Sequence, residues 1–250
     1  MLKIIKFELI KQLKRKENFI LLFMFLIPLL YSIGVYNNSS VITYNSNEAV
    51  NGLAFANSMY VFVYMVFVFY LILAINSSNI LRGEIDNGST SIMLTRINNR
   101  KKIYNAKLYE QIIYWAIVTI LFILFSIICY YIFVSRLDIS DGRLIGTNWA
   151  NELLAIIAIY SSYIFVISMV QSMSMYFKSY VSIGIFIVVW IILLYFKEFP
   201  GVKIISPIYY LESLIDSGRF LDFIKFMILN WGLVIIFSFI GSRKFTRSDI

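Results

Sequence analysis

Six stretches of this chain are apolar almost without interruption: residues 19–36, 57–81, 111–134, 153–175, 181–196 and 223–241. A bilayer core is about 30 Å thick, so a helix crosses it with roughly 20 apolar residues. The pattern predicts an all-α membrane protein with six transmembrane helices. The 181–196 stretch is the shortest, and is expected to tilt little or to extend at its ends. Backbone groups in hydrocarbon must find partners within their own segment, which a helix provides. The short alternating strands of a membrane barrel do not occur in the pattern. The first stretch follows a long basic head and lacks a small-residue cleavage site, so it reads as a retained span rather than a signal peptide. Pro28 lies inside it, removes a backbone hydrogen bond and predicts a kink.

The connections divide residues 1–250, read as a single transmembrane domain, into recognisable parts. The head, residues 1–18, sets Leu2, Ile5, Leu9 and Leu13 at helical spacing among Lys3, Lys6, Lys11, Lys14, Arg15 and Lys16. Such a helix can lie at the membrane interface with its lysines near anionic headgroups. Ile4, Phe7 and Ile10 fall off the stripe and offer a surface to a neighbouring protein. The plainer reading is a positive flank that happens to be helical. Residues 37–56 are rich in Asn and Ser without a basic residue, and include the acceptor-like Asn38-Ser39-Ser40. Residues 197–222 are apolar and broken by Pro200 and Pro207, too short to span. They predict short re-entrant helices before span six, with a folded surface loop as the alternative.

Composition agrees with the pattern: 60% hydrophobic, 14% charged, mean hydropathy +0.79. Charge then sets orientation. The head, the 82–107 loop, the Lys178 turn and the tail after Gly241, with their span edges, hold 16 Lys and Arg against 6 in the other connections with theirs. Acidic residues, counted in the same way with Glu110 on the side of the 82–107 loop, run the other way, 6 against 8. Basic loops stay inside, so both termini and the 82–107 loop are expected in the cytoplasm of a multi-pass membrane protein. The net charge of +8 is read as this topology signal, and no nucleic-acid partner is expected.

Chemistry is bounded by what is missing. The chain has no histidine and one cysteine, Cys129, which excludes an internal disulfide and a His/Cys metal site. Cys129 reads as a packing residue. The span centres carry no charge; Glu110, Glu152 and Lys225 are expected at edges within reach of water, with Gln171 the main polar group deeper in. A carboxylate-driven carrier is therefore disfavoured. Intramembrane proteolysis lacks its Ser–His pair, paired aspartates or zinc ligands. No phosphate loop occurs, and no glycine is followed by lysine, so ATP cannot be cradled in that way by this chain. Active transport would need another polypeptide to supply energy, and the chain itself is not expected to be an enzyme.

One connection has the makings of a partner contact. In residues 82–107, Asp86-Asn87-Gly88-Ser89 forms a turn whose Ser and Thr can start a helix, and Ile92-Met93-Leu94 gives that helix an apolar side. Glu84, Gly88-Ser89-Thr90, Met93-Leu94, Thr95, Arg100, Ile103 and Ala106-Lys107 follow in an order and spacing that resemble the permease subunits of ABC-2-type ABC exporters. The chain departs from the family pattern at Ile97, where proline is usual, and at Asn99, where serine is usual. The local motif covers about a tenth of the chain. The head, six spans, the long loop after span two and the apolar segment before span six resemble the family along its length.

The resemblance implies a membrane-spanning subunit that works with two copies of an ABC ATPase subunit and a second permease subunit, in a homodimer or heterodimer. ATP and Mg would be bound by the ATPase subunits. Glu84, Asp86, Gly88, Thr90, Met93, Leu94 and Arg100 would form the coupling contact, and the head helix a second one. Tyr60, Tyr64 and Phe67 are candidates for the translocation path, because aromatic and Met surfaces suit amphipathic cargo. The plainer reading of the same residues is helix packing and lipid contact. Permeases of this small form resemble those of lantibiotic self-protection, bacitracin-type resistance and phenol-soluble modulin export. That implies export of amphipathic or hydrophobic peptides, toxins or antimicrobial peptides, across a bacterial cell membrane. The alternatives are a non-transporting immunity or scaffold protein and a non-ABC channel or carrier.

Overall fold

The computed structural model describes residues 1–37, 49–97 and 99–248. Asn38-Ser39-Ser40 and the rest of 38–48 lie outside the described residues. The chain is a helical bundle; among the described residues the sole extended pairing is a single bridge between Val50 and Ser140. A short helix α1 (Leu2–Leu13) precedes α2 (Leu21–Tyr36), and Pro28 sits inside α2. The next apolar stretch forms α3 (Gly52–Met65) and α4 (Phe67–Ser78), extended by a π-helical turn at Asn79–Gly83. Then come α5 (Glu84–Asp86), α6 (Ser89–Arg96) and the long α7 (Arg100–Cys129). The second half holds α8 (Trp149–Met173), α9 (Ser179–Glu198), α10 (Pro207–Ser217) and α11 (Phe220–Arg247).

Among the described residues, five helices are long and apolar enough to cross a membrane alone, and α3 with α4 passes the same test only as a bent pair, which makes six if the two count as one span. The two halves meet at 71°. Val66 is extended there, at φ −80° and ψ 93°, although residues 61–70 contain neither proline nor glycine. Ring packing accounts for the bend. Tyr64 and Tyr70, on either side of it, meet edge-to-face at 6.0 Å, and Phe67 stacks on Phe186 of α9 at 6.0 Å. Val, Phe and Tyr crowd the preceding helical turn, so the run has little local preference to oppose this.

Elsewhere the ends are set by local chemistry. Asn51 and Asn99 cap α3 and α7 by accepting from the backbone N–H of Ala54 and Lys102. Pro207 opens α10, and Gly218, at φ 64°, closes it in the left-handed region.

Helix α8 is the centre of the bundle. Of its most apolar window 72% is buried, against 17% for α9 and for α11, which therefore lie outside it. Every residue from 161 to 170 is buried. Serines let neighbours approach: Asn230 of α11 donates to Ser161 Oγ at 2.9 Å, and Tyr70 pairs with Ser162 at 2.7 Å. Cys129 is buried in this packing. The α10 segment lays Ile208, Tyr210, Leu211 and Leu214 onto the bundle, while Ile204 and Ile205 just before it stay exposed. Both termini lie at one end of the bundle, because α1 and the end of α11 both meet the beginning of α7.

Candidate functional site

The terminal end of the bundle is held by a buried ionic cluster. On α1, Glu8, Lys11 and Gln12 follow one another at helical spacing and form a polar stripe, which Arg15 continues in the extended backbone just past the helix. That stripe faces inward: Glu8 and Gln12 are 3% and 2% exposed, whereas Leu2 is 82% exposed. The helix thus turns its polar side to the protein and leaves Leu2, Phe7, Ile10 and Leu13 on the outside.

Opposite the stripe stand Glu84, just beyond the second apolar stretch, and Lys107 of α7. Lys107 is fully buried and its ammonium donates to Glu84 and, at 3.2 Å, to Glu8. Glu84 also accepts from Lys11 at 2.7 Å and from Arg15 at 2.9 Å. Gln12 donates to Asn76 Oδ1 at 3.0 Å, and Tyr114 donates to Asn18 Oδ1 at 2.7 Å. Burial pushes the Glu84 carboxyl up, but the Lys107 and Lys11 ammonium groups outweigh it and hold Glu84 below its ordinary range. Glu110, expected at an edge within reach of water, is instead 1% exposed with neither oxygen hydrogen-bonded. Its helix begins ten residues earlier, at Arg100, and α1 packs against that part of it.

The residues singled out in the loop take different places. Glu84 faces inward, and Asp86 is exposed and pairs with Arg82 at 2.9 Å. Gly88 is the left-handed residue, φ 72°, that turns the chain into α6. Thr90 is 1% exposed and its hydroxyl has no partner. Met93 and Leu94 pack on a small separate core of Leu81, Ile103, Tyr104, Met175 and Phe245. Ile92, on the other side of α6, is 62% exposed. Arg100 donates to the carbonyl of Ser248, joining the start of α7 to the end of α11.

The three aromatic residues considered for a path separate likewise. Tyr60 is buried inside the bundle, hydrogen-bonded to Thr119 at 3.0 Å and packed on Phe122 and Tyr163. Tyr64 borders a groove of about 360 Å³ beside the break, with Trp190, Lys197 and Glu212. Phe67 lies at the break itself, against Phe186 and Trp190.

Sequence reasoning missed Glu8 and the joint contact of Glu8 and Lys107 with Glu84. The signal that could have found it was the polar stripe on α1, which the apolar stripe beside it obscured. No protein-family model matches the chain, and no curated protein sequence matches it.

Proposed function

We propose that this chain is the membrane-spanning permease subunit of an ATP-driven exporter of the ABC-2 type, with its termini in the cytoplasm of a bacterial cell. The observation that carries the reading is α6. It is a short amphipathic helix between spans two and three, seated on the bundle by Met93 and Leu94 and offering Ile92 outward. Its footing is firm, since Glu84 at its root is held by three cations, Lys11 of α1, Arg15 just past α1 and Lys107 of α7. A partner that presses on α6 would move the ends of spans two and three together. The motif residues divide the work: Glu84, Gly88, Thr90 and Arg100 position the helix, and Ile92 with Asp86 meets the ATPase subunit.

The outer face of α9 is largely uncovered within the chain, which leaves room for a second permease subunit. Amphipathic or hydrophobic peptides are the proposed cargo. The groove beside the Val66 break supports that choice, with Tyr64, Met65 and Trp190 beside Glu212 and Lys197.

The test is purification of the tagged chain from its native membranes in mild detergent, followed by mass spectrometry of what stays bound. The expected result is a stoichiometric ATPase subunit that is lost from Ile92→Asp while the variant's melting midpoint is unchanged. A preparation free of any ATPase, under conditions that preserve other membrane complexes, would refute the reading and favour a non-transporting immunity or scaffold protein.

A further inference from the structure

A groove of about 560 Å³ runs between α7 and α11 at the terminal end of the bundle. Lys101 and Arg243 stand at its mouth, and Trp231, Ile235 and Phe239 form its wall toward the bundle's middle. No carboxylate lines it, and neither cation takes part in an ion pair among the described residues. Ser238 places a buried hydroxyl without a hydrogen-bond partner in the same wall. The groove beside the Val66 break differs, because its Lys197 is already neutralised by Glu212 at 2.8 Å.

We propose that this groove binds one anionic phospholipid, its phosphate at Lys101 and Arg243 and an acyl chain along Phe239, Ile235 and Trp231. The dimensions fit. Twelve residues separate Arg243 from Trp231, about 18 Å of helix at 1.5 Å per residue, close to the roughly 15 Å depth of one leaflet. The wall is uncovered, with Ile235 and Phe239 65% and 64% exposed, so a chain can enter from the side. Charge selects the headgroup, since basic pockets between membrane helices attract anionic lipid. A second copy docked there by a two-fold axis would bring its own Lys101 and Arg243 against the first pair, which like-charge repulsion opposes.

The experiment is native mass spectrometry of the purified full chain, titrated with phosphatidylglycerol or with phosphatidylcholine of the same acyl chains. Wild type is expected to take up phosphatidylglycerol at much lower concentration than phosphatidylcholine. Lys101→Ala/Arg243→Ala should weaken phosphatidylglycerol uptake about thirty-fold, the equivalent of two basic contacts. Lys14→Ala/Lys178→Ala, which removes two exposed charges elsewhere, should leave it unchanged. Ser238→Phe, which fills the groove without altering charge, should abolish the preference. Equal uptake of the two lipids by wild type would overturn the proposal. So would an equal loss in the Lys14/Lys178 control, or loss of a dimer instead of lipid from the Lys101/Arg243 variant.

Discussion

Replacing Lys107 by Met tests whether the ionic cluster holds the terminal end together. Lys107 is fully buried and bonds both Glu8 and Glu84. Without it, Glu84 keeps Lys11 and Arg15, but Glu8, 3% exposed, has no other ion-pair partner among the described residues. Removing one member of a buried pair costs about 3–5 kcal/mol, because the charge left behind is neither solvated nor paired. A chain of this size loses about 2–4 °C in midpoint per kcal/mol, so Lys107→Met should melt about 6–20 °C below wild type in detergent. The double variant Glu8→Gln/Lys107→Met removes both charges and leaves the amide able to hydrogen-bond. It should recover most of the loss, as neutral replacements of buried pairs commonly do. Lys11→Met gives the scale for an exposed partner: its side chain is 38% exposed, so about 0–1 kcal/mol is expected. The assay is a thermal melt of the three variants in one detergent. A single variant as stable as wild type, or a double variant worse than the single, would refute the argument.

Two further predictions concern close packing and acid. Gly241 of α11 lies so near α8 that an added Cβ would sit 2.9 Å from Ser172 Cα and 2.8 Å from Tyr104 Cζ. Gly241→Ala should therefore cost about 1–3 kcal/mol by forcing the helices apart. Gly232→Ala, with nothing within 4 Å, should be neutral or slightly stabilising by helix propensity, and melting both variants checks the contrast. Because the folded Glu84 carboxyl is held below its ordinary range, its contribution is complete above the unfolded value of 4.5 and is lost as pH falls through the lower folded value. The melting midpoint should thus be insensitive to Glu84 ionisation from pH 7 to about 5 and drop below that range. Glu84→Gln should flatten this acid limb, and a limb as steep as wild type's would remove Glu84 from the account.

The spans were legible because a bilayer demands length and apolarity, and both are local properties of a sequence. The stretch at 153–175 falls on α8, which starts four residues earlier and ends two earlier, and the Gly88 turn appeared where Asp86-Asn87-Gly88-Ser89 pointed to it. The break at Val66 was not legible. Nothing local interrupts the helix there, and the Phe186 and Trp190 rings that favour the bend come from a helix more than a hundred residues later. The ionic cluster was hidden for a similar reason. Glu8, Glu84 and Lys107 belong to three segments that lie far apart in sequence and meet only when α1 folds back beneath the bundle. Glu84 read as part of a partner contact, Glu8 was not singled out, and Glu110 looked like an edge group, because one helix at a time shows no burial.

Span two is the element that joins the two halves of the molecule, and the break decides how. Its α3 half sits with α7 through Tyr60, Thr119 and Phe122. Its α4 half sits with α9 through Phe67, Phe186, Tyr70 and Trp190. At the terminal end α4 runs into Glu84 and so into the clamp with α1 and α7. The same end of α7 is tied to α11 by Arg100 with Ser248 and by Tyr104 with Phe245. A displacement applied at α6 would therefore move α1, α4, α7 and the end of α11 together, since all four share buried contacts at that level. At the level of Val66 those helices part company, because α4 follows α9 while α3 stays with α7. The relative motion has to be taken up where the backbone leaves the helical path, and that place borders the groove of Tyr64, Trp190 and Glu212. In the exporter reading, the groove proposed for cargo is thus the place where a push on the coupling helix changes the shape of the bundle most.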